Sequence, residues 1–134
     1  MLNTRLLKTT CVAALLSAPL CGCGKGPKMH TVTGNVSYQG QPIAEGQIIF
    51  SATDGNSPAA TVFIENGRYS VVTSAGVKTV RISATKETGR IVEGAMGVKY
   101  PERIDFIPPN YNTATTLVRT IDPEGELVID FQLE

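Results

Sequence analysis

Thr31 to Tyr38, TVTGNVSY, is the stretch whose reading decides the fold. Val32, Gly34, Val36 and Tyr38 alternate with Thr31, Thr33, Asn35 and Ser37. In a strand, residues two apart share a face, so this period describes a strand buried on one side and wet on the other. Gln39-Gly40-Gln41-Pro42 follows with turn chemistry.

The same grammar repeats downstream. Gln47 to Ala52, QIIFSA, is apolar on both faces and suits an interior strand, and Thr53 to Pro58 reads as a loop. Ala60, Val62 and Ile64 alternate before Glu65-Asn66-Gly67, and Tyr69 to Val72 resumes as a strand. Asn-Gly between two such runs is a hairpin signal, because both residues tolerate positive φ. Ser74-Ala75-Gly76 turns again, and Val80, Ile82 and Ala84 alternate with polar neighbours. Thr115 to Thr120 and Glu126 to Leu133 are expected to form a last pair around Asp122-Pro123-Glu124-Gly125. About seven short strands with no amphipathic helix after the leader predict an all-β domain, an antiparallel Greek-key sandwich. Thr85 to Asn112 shows little pattern and reads as a long loop. Gly94 to Tyr100 could hold a short strand there, in the crossover between sheets that a Greek key requires.

Upstream the chemistry changes. Arg5 and Lys8 precede an apolar run, Thr9 to Leu20, with the length of a signal-peptide core and too short to span a bilayer. A buried N-terminal helix is the alternative, but Pro19 and the Cys-Gly-Cys-Gly run would end it abruptly. Leu20-Cys21-Gly22-Cys23 resembles the bacterial lipobox, in which a thiol at the membrane surface is alkylated and the chain is cut before it, where only small side chains fit. Cys23 meets that requirement with Gly22 in front, and cleavage falls between the two. Cys21 does not, because Leu20 would occupy the small position. The expected organisation is a signal-peptide helix over 1–22, a lipidated flexible tether over 23–30 and a β-domain over 31–134. The lipobox resemblance implies two or three acyl chains on Cys23, which would hold permanently, since each buried methylene contributes about 0.8 kcal/mol. Gly24 in place of Asp points to the outer membrane, facing the periplasm, over the inner one under the enterobacterial sorting rule.

Charge and cysteines bound the function. Lys plus Arg and Asp plus Glu number 12 each; removing Arg5 and Lys8 with the leader leaves ten basic against twelve acidic residues. Such a surface gives no reason to expect nucleic acid, which needs clustered Lys and Arg against phosphate. The three cysteines, Cys11, Cys21 and Cys23, all precede the β-domain, so neither disulfides nor a zinc cluster staple it. A Cys-x-Cys metal motif lacks a second ligand pair downstream.

Several landmarks in order carry a resemblance. They are Gly34-x-Val36-x-Tyr38-x-Gly40-x-Pro42, Gly46-x-Ile48-x-Phe50, Glu65-Asn66-Gly67-Arg68-Tyr69, Ile107-Pro108-Pro109-Asn110-Tyr111-Asn112 and Asp130-Phe131. Joined to the lipobox, this resembles the small transthyretin-like, carboxypeptidase-regulatory-like lipoproteins of planctomycetes. The resemblance implies a prealbumin-like sandwich in the cell envelope with no assigned activity.

Candidate chemistry is sparse. His30 is the only histidine and falls in the expected tether, where nothing orients it as a general base. A thiol nucleophile is lost once Cys23 is alkylated. The transthyretin-like 5-hydroxyisourate hydrolases need several histidines and a C-terminal Tyr-Arg-Gly-Ser; this chain ends Asp130-Phe131-Gln132-Leu133-Glu134, so that activity is not carried over. Asp54-x-Asn56-Ser57 lacks the further acidic ligands of a calcium loop and reads as a polar turn. Tyr111 reads either as a structural cap with its hydroxyl on backbone or, with Asn110, as an exposed binding aromatic. No catalytic residue, metal or cofactor is expected. The expected partners are a membrane, through the lipid on Cys23, and an envelope protein or glycan. An unrecognised hydrolase and a passive spacer are the alternatives.

Overall fold

A computed structural model describes residues 26–125 and 127–134. The expected signal peptide, the expected cleavage and acylation residues Gly22 and Cys23, and the start of the expected tether lie outside the described residues. Those that are described form ten strands and two 3-10 turns, Ala95–Gly97 and Pro109–Tyr111. The chain is all-β.

Strand β1 runs Met29–Tyr38, starting two residues before the expected domain boundary. Val32, Gly34 and Val36 are buried while Thr31, Thr33 and Asn35 face solvent, as the period of two requires. Gln39 and Gly40 take positive φ and return the chain to β2 (Gln41–Pro42), which pairs with the end of β1. Then come β3 (Glu45–Ala52), β4 (Ala60–Glu65), β5 (Arg68–Ser74) and β6 (Gly76–Ser83). Asn66 and Gly67, at φ 51 and 75, make the two-residue turn between β4 and β5. The remaining strands are β7 (Thr85–Glu93), β8 (Lys99–Asp105), β9 (Val118–Ile121) and β10 (Phe131–Leu133).

The main sheet has the order β10-β1-β5-β4-β3-β6-β9. β3 is interior, paired with β4 and β6, and buries Ile48 and Phe50. β4 and β5 share a single rung, Glu65 with Arg68, so the path bends sharply at their turn. It curls until its ends approach: the Arg119 guanidinium on β9 lies 5.2 Å from the centre of the Phe131 ring on β10. Inside, Phe50, Tyr69 and Phe131 form a three-ring cluster with centroids 5.8 to 6.2 Å apart. Ile64, Val71, Val80, Ile82 and Ile121 fill the space around them. Burying each such aliphatic side chain contributes about 2 kcal/mol.

Two expectations are corrected. Residues 115–120 and 126–133 do not pair with each other. β9 lies antiparallel to β6, and β10 lies parallel to β1. The reason is the connection between them. Gly125 donates to the Asp122 carbonyl and Glu124 to the Asp122 carboxylate, a turn that sends the chain from one end of the sheet path to the other. The segment then docks on β1, where the Thr33 amide donates to Leu127 and Thr33 accepts from Ile129. Gly34 makes this approach possible: a Cβ there would stand 1.9 Å from the Ile129 oxygen.

The second correction concerns 85–112, which is not a loop. β7 and β8 pair antiparallel as a hairpin outside the main sheet, and neither bonds to any other strand. No face of this hairpin is buried, so no alternation marks it in the sequence.

Candidate functional site

The hairpin leaves the sheet at Ala84. Phe106 closes its root by donating to the Ala84 carbonyl at 3.1 Å. The Asp105 carboxylate accepts from the Ile107 amide at 3.0 Å and from buried Asn112 Nδ2 at 3.3 Å, while Asn112 also reaches the Ile107 carbonyl. Lys86 lies over the Phe106 ring, 5.7 Å from its centre. Arg103 bridges Glu87 within the hairpin and Glu45 on β3, each at 3.5 Å, but all three side chains are exposed and such pairs contribute little. The root is therefore fixed mainly by backbone and the buried amide.

Beyond the root, nine residues of β7 at about 3.3 Å each reach about 30 Å. Thr88 Oγ1 donates to Glu102 at 2.7 Å beside the register shift between Glu87 and Ile91. At the tip Gly94 donates to Val98, and Met96, with φ 64, is fully exposed. Ile91, Val98, Tyr100 and Ile104 are also exposed. Four basic residues (Lys86, Arg90, Lys99, Arg103) balance four acidic ones (Glu87, Glu93, Glu102, Asp105). This is a neutral projection with uncovered apolar side chains, which mark contact surfaces when they gather on an otherwise polar exterior.

Its placement follows from register. Met29 pairs with Ser74, and Ala52 pairs with Lys78, at one end of the sheet. Gln47 pairs with Ser83 and Asn35 with Arg68 at the other. The hairpin springs from the Ser83 end, opposite the point where the chain enters at Met29.

The residues singled out from sequence fall elsewhere. Tyr111 is half-buried against the core, and its hydroxyl accepts from the Glu134 amide at 3.2 Å. Asn110 is exposed beside it, and neither lines the groove at Asn35, Phe63 and Ser70. His30 is not a free linker residue: it pairs with Thr73 inside β1, with Nε2 shielded and without a hydrogen-bond partner among the described residues. Asp54 accepts from the Asn56 amide at 3.0 Å, an Asx turn whose hydrogen bonds hold the carboxyl below its ordinary range. Among the described residues, no group of three or more His, Cys, Asp or Glu side chains gathers to hold a metal.

Sequence reasoning missed one cluster. Lys78 is buried on the inward face of β6, where its Nζ donates to Ser74 Oγ at 2.7 Å and to Ser57 Oγ at 3.3 Å. The two hydroxyls are 2.8 Å apart. The signal was present in the alternation, since Lys78 shares the face of Val80 and Ile82.

No family model matches the chain, and no curated protein matches it. Among solved structures, a 9R-lipoxygenase from Cyanothece PCC8801 is similar at 10% identity and a TM-score of 0.36. The match covers 79% of this chain and 16% of the lipoxygenase. A similarity of that size carries no argument about activity.

Proposed function

We propose that this protein is a cell-envelope lipoprotein, held to a membrane through acylated Cys23, whose non-catalytic β-domain presents the 85–105 hairpin to an envelope partner. The carrying observation is the hairpin itself: a neutral, apolar-tipped projection rooted opposite the N-terminal end of the sheet. A chain tethered ahead of Met29 would hold that tip away from its own membrane. The lipobox residues Leu20-Cys21-Gly22-Cys23 support the tether. In the same reading the two limbs of the curled sheet pack as a Greek-key, transthyretin-like sandwich, and the facing of Phe50 by Tyr69 and Phe131 supports it.

Two measurements test the proposal. Cys23→Ser is expected to leave the protein unacylated and release it from membranes; an unmodified wild-type N terminus by mass spectrometry would defeat the anchor. Chemical cross-linking in intact envelopes is expected to join the wild-type protein to a partner, with Met96→Ser/Val98→Ser losing that product. Equal cross-linking of both would remove the hairpin from the reading.

A second reading, an unrecognised hydrolase, has one observation in its favour. The Lys78, Ser74 and Ser57 groups set a hydroxyl on the 53–59 loop in contact with an amine. Covalent capture of Ser57 by a fluorophosphonate probe would support it.

A further inference from the structure

Lys78 is a buried cation whose presence packing does not explain. It lies on the inward face of β6 with Val80 and Ile82, where an unbranched apolar side chain would fill the same space. Replacing a buried charge by an apolar group of like volume often leaves a fold as stable or more so. The β5–β6 turn, with Gly76 at φ 108, folds Lys78 back over Ser74, and Nζ donates to Ser74 Oγ at 2.7 Å. The 53–59 loop is held against β6 by Thr53, whose amide and hydroxyl both donate to the Val77 carbonyl. The Asx turn from Asp54 to the Asn56 amide shapes its tip. These bonds set Ser57 Oγ 2.8 Å from Ser74 Oγ and 3.3 Å from Nζ.

The three groups form a chain from the core to the surface. Lys78 and Ser74 are buried, whereas Ser57 is half-buried and its neighbours Asn56, Pro58 and Ala59 are exposed. A serine hydroxyl is a weak nucleophile until an adjacent base takes its proton. Serine–lysine pairs achieve this without histidine. A hydroxyl donates and accepts at once, so Ser74 can take the proton of Ser57 while handing its own to Lys78. In its amine form Lys78 carries the lone pair that receives it.

We propose that Ser57 is a reactive serine that accepts a short acyl group from an activated ester or thioester. The Ser57 oxygen bonds to the carbonyl carbon of the donor. Its proton moves to Ser74 as the Ser74 proton moves to the Lys78 amine. The bond from the carbonyl carbon to the donor's alkoxide or thiolate then breaks, and that group takes the proton back from Lys78 and departs as an alcohol or thiol. The product is an ester on Ser57, and no oxidant or reductant is consumed. The neighbours of Ser57 stand in open solvent, so the donor is held at its carbonyl and not along a chain. Acyl transfer onto the protein requires no turnover and stands beside the envelope role. The parts given to the three residues rest on the hydrolase reading, which release of the acyl group by water would complete.

Full-length protein in detergent micelles is incubated with p-nitrophenyl acetate, nitrophenolate release is followed, and the acetyl group is mapped by peptide mass spectrometry. Acetylation is expected at Ser57 and is expected to vanish from that peptide in Ser57→Ala. Lys78→Met, with a melting temperature near that of the wild type, is expected to slow Ser57 acetylation by about a hundredfold, the usual contribution of a positioned base. Ser74→Ala is expected to slow it similarly, and Ser74→Thr, which keeps the hydroxyl, to restore the rate to within threefold. All rates are taken well below the midpoint of the least stable variant. Acetylation confined to surface lysines overturns the proposal. Wild-type rates at Ser57 in both Lys78→Met and Ser74→Ala also overturn it, while capture of Ser57 by a fluorophosphonate would then leave the hydrolase reading standing. Failure of both acetylation and capture ends both. His30 is a second base at this end of the sheet, since its partner Thr73 adjoins Ser74. A rate lost in His30→Gln and kept in Lys78→Met would give the proton to His30 and overturn the assignment.

Discussion

The Tyr69 hydroxyl donates to the carbonyl oxygen of Ile129 at 2.7 Å, tying β5 to the C-terminal segment across β1. The ring packs against Phe50 and Phe131, so a single side chain joins the aromatic cluster to the last crossing of the chain. Tyr69→Phe keeps the ring and removes the donor, leaving a part-buried carbonyl without its partner. The expected loss is about 1 to 2 kcal/mol in urea denaturation, the usual cost of such a group. An unchanged midpoint would show that water replaces the bond.

The same hydroxyl sets an alkaline limit. Burial, followed by the negative charge of Asp130, pushes the Tyr69 phenol well above its ordinary value of 10.0. The unfolded chain loses this proton near pH 10 while the folded chain keeps it, so above that point the folded state binds more protons. Stability then falls as pH rises. The melting temperature is expected to drop more steeply above pH 10 in the wild type than in Tyr69→Phe. Parallel pH profiles would refute the assignment.

Gly34 carries a steric demand instead of a bond. A Cβ at this position would stand 1.9 Å from the Ile129 oxygen and 3.0 Å from Tyr69 Cε1. The backbone oxygen cannot yield without displacing the segment that Thr33 holds. Gly34→Ala is expected to cost about 3 kcal/mol, at the upper end of core overpacking, and to expose residues 127–134 to proteolysis. A variant with wild-type stability and an intact C terminus would contradict the close approach.

These two residues show why part of the fold was legible and part was not. Period two placed β1 and β6 with their buried faces, because each has a dry side and a wet side, while an apolar run on both faces placed β3 in the interior. Asn66-Gly67 announced its turn through residues that accept positive φ. The partner of the last strand was not legible, because Leu127, Ile129, Phe131 and Leu133 say which face is buried and nothing about which edge is joined. Gly34 held that information, but a glycine in a strand reads as a weak position until its neighbour is known. The hairpin was illegible for the opposite reason. Its strands bury neither face, so the core imposed no period on them.

Lys78 offers a comparison between two deletions. Its ammonium is buried, and among the described residues no carboxylate lies within ion-pair distance. Ser74→Ala removes its shortest hydrogen bond and is expected to cost about 2 kcal/mol. Lys78→Met removes the charge itself, keeps most of the side-chain volume and leaves Ser57 and Ser74 bonded to each other at 2.8 Å. That variant is expected to lie within about 1 kcal/mol of wild type, because an apolar replacement has no desolvation to offset. Thermal or urea unfolding of both variants decides the matter, and the reverse ranking would mean that the ammonium contributes through contacts beyond the two hydroxyls.

The hairpin's energetics separate from those of the core, and this is measurable. Among the described residues its strands bond to each other and to no further strand, with most of its side chains in solvent. Opening it therefore exposes little apolar surface, whereas opening β3 exposes Ile48 and Phe50. Amide exchange is expected to show residues 86–104 exchanging through local opening, at free energies below the global value, while 46–51 exchange only on global unfolding. Met96→Ser/Val98→Ser is expected to change stability by less than about 0.5 kcal/mol, since neither side chain is buried. A binding defect in that variant would then report on the contact surface and not on folding. If its midpoint fell by more than about 2 kcal/mol, the tip would be packed against the domain, and the projecting hairpin would have to be abandoned as a free surface.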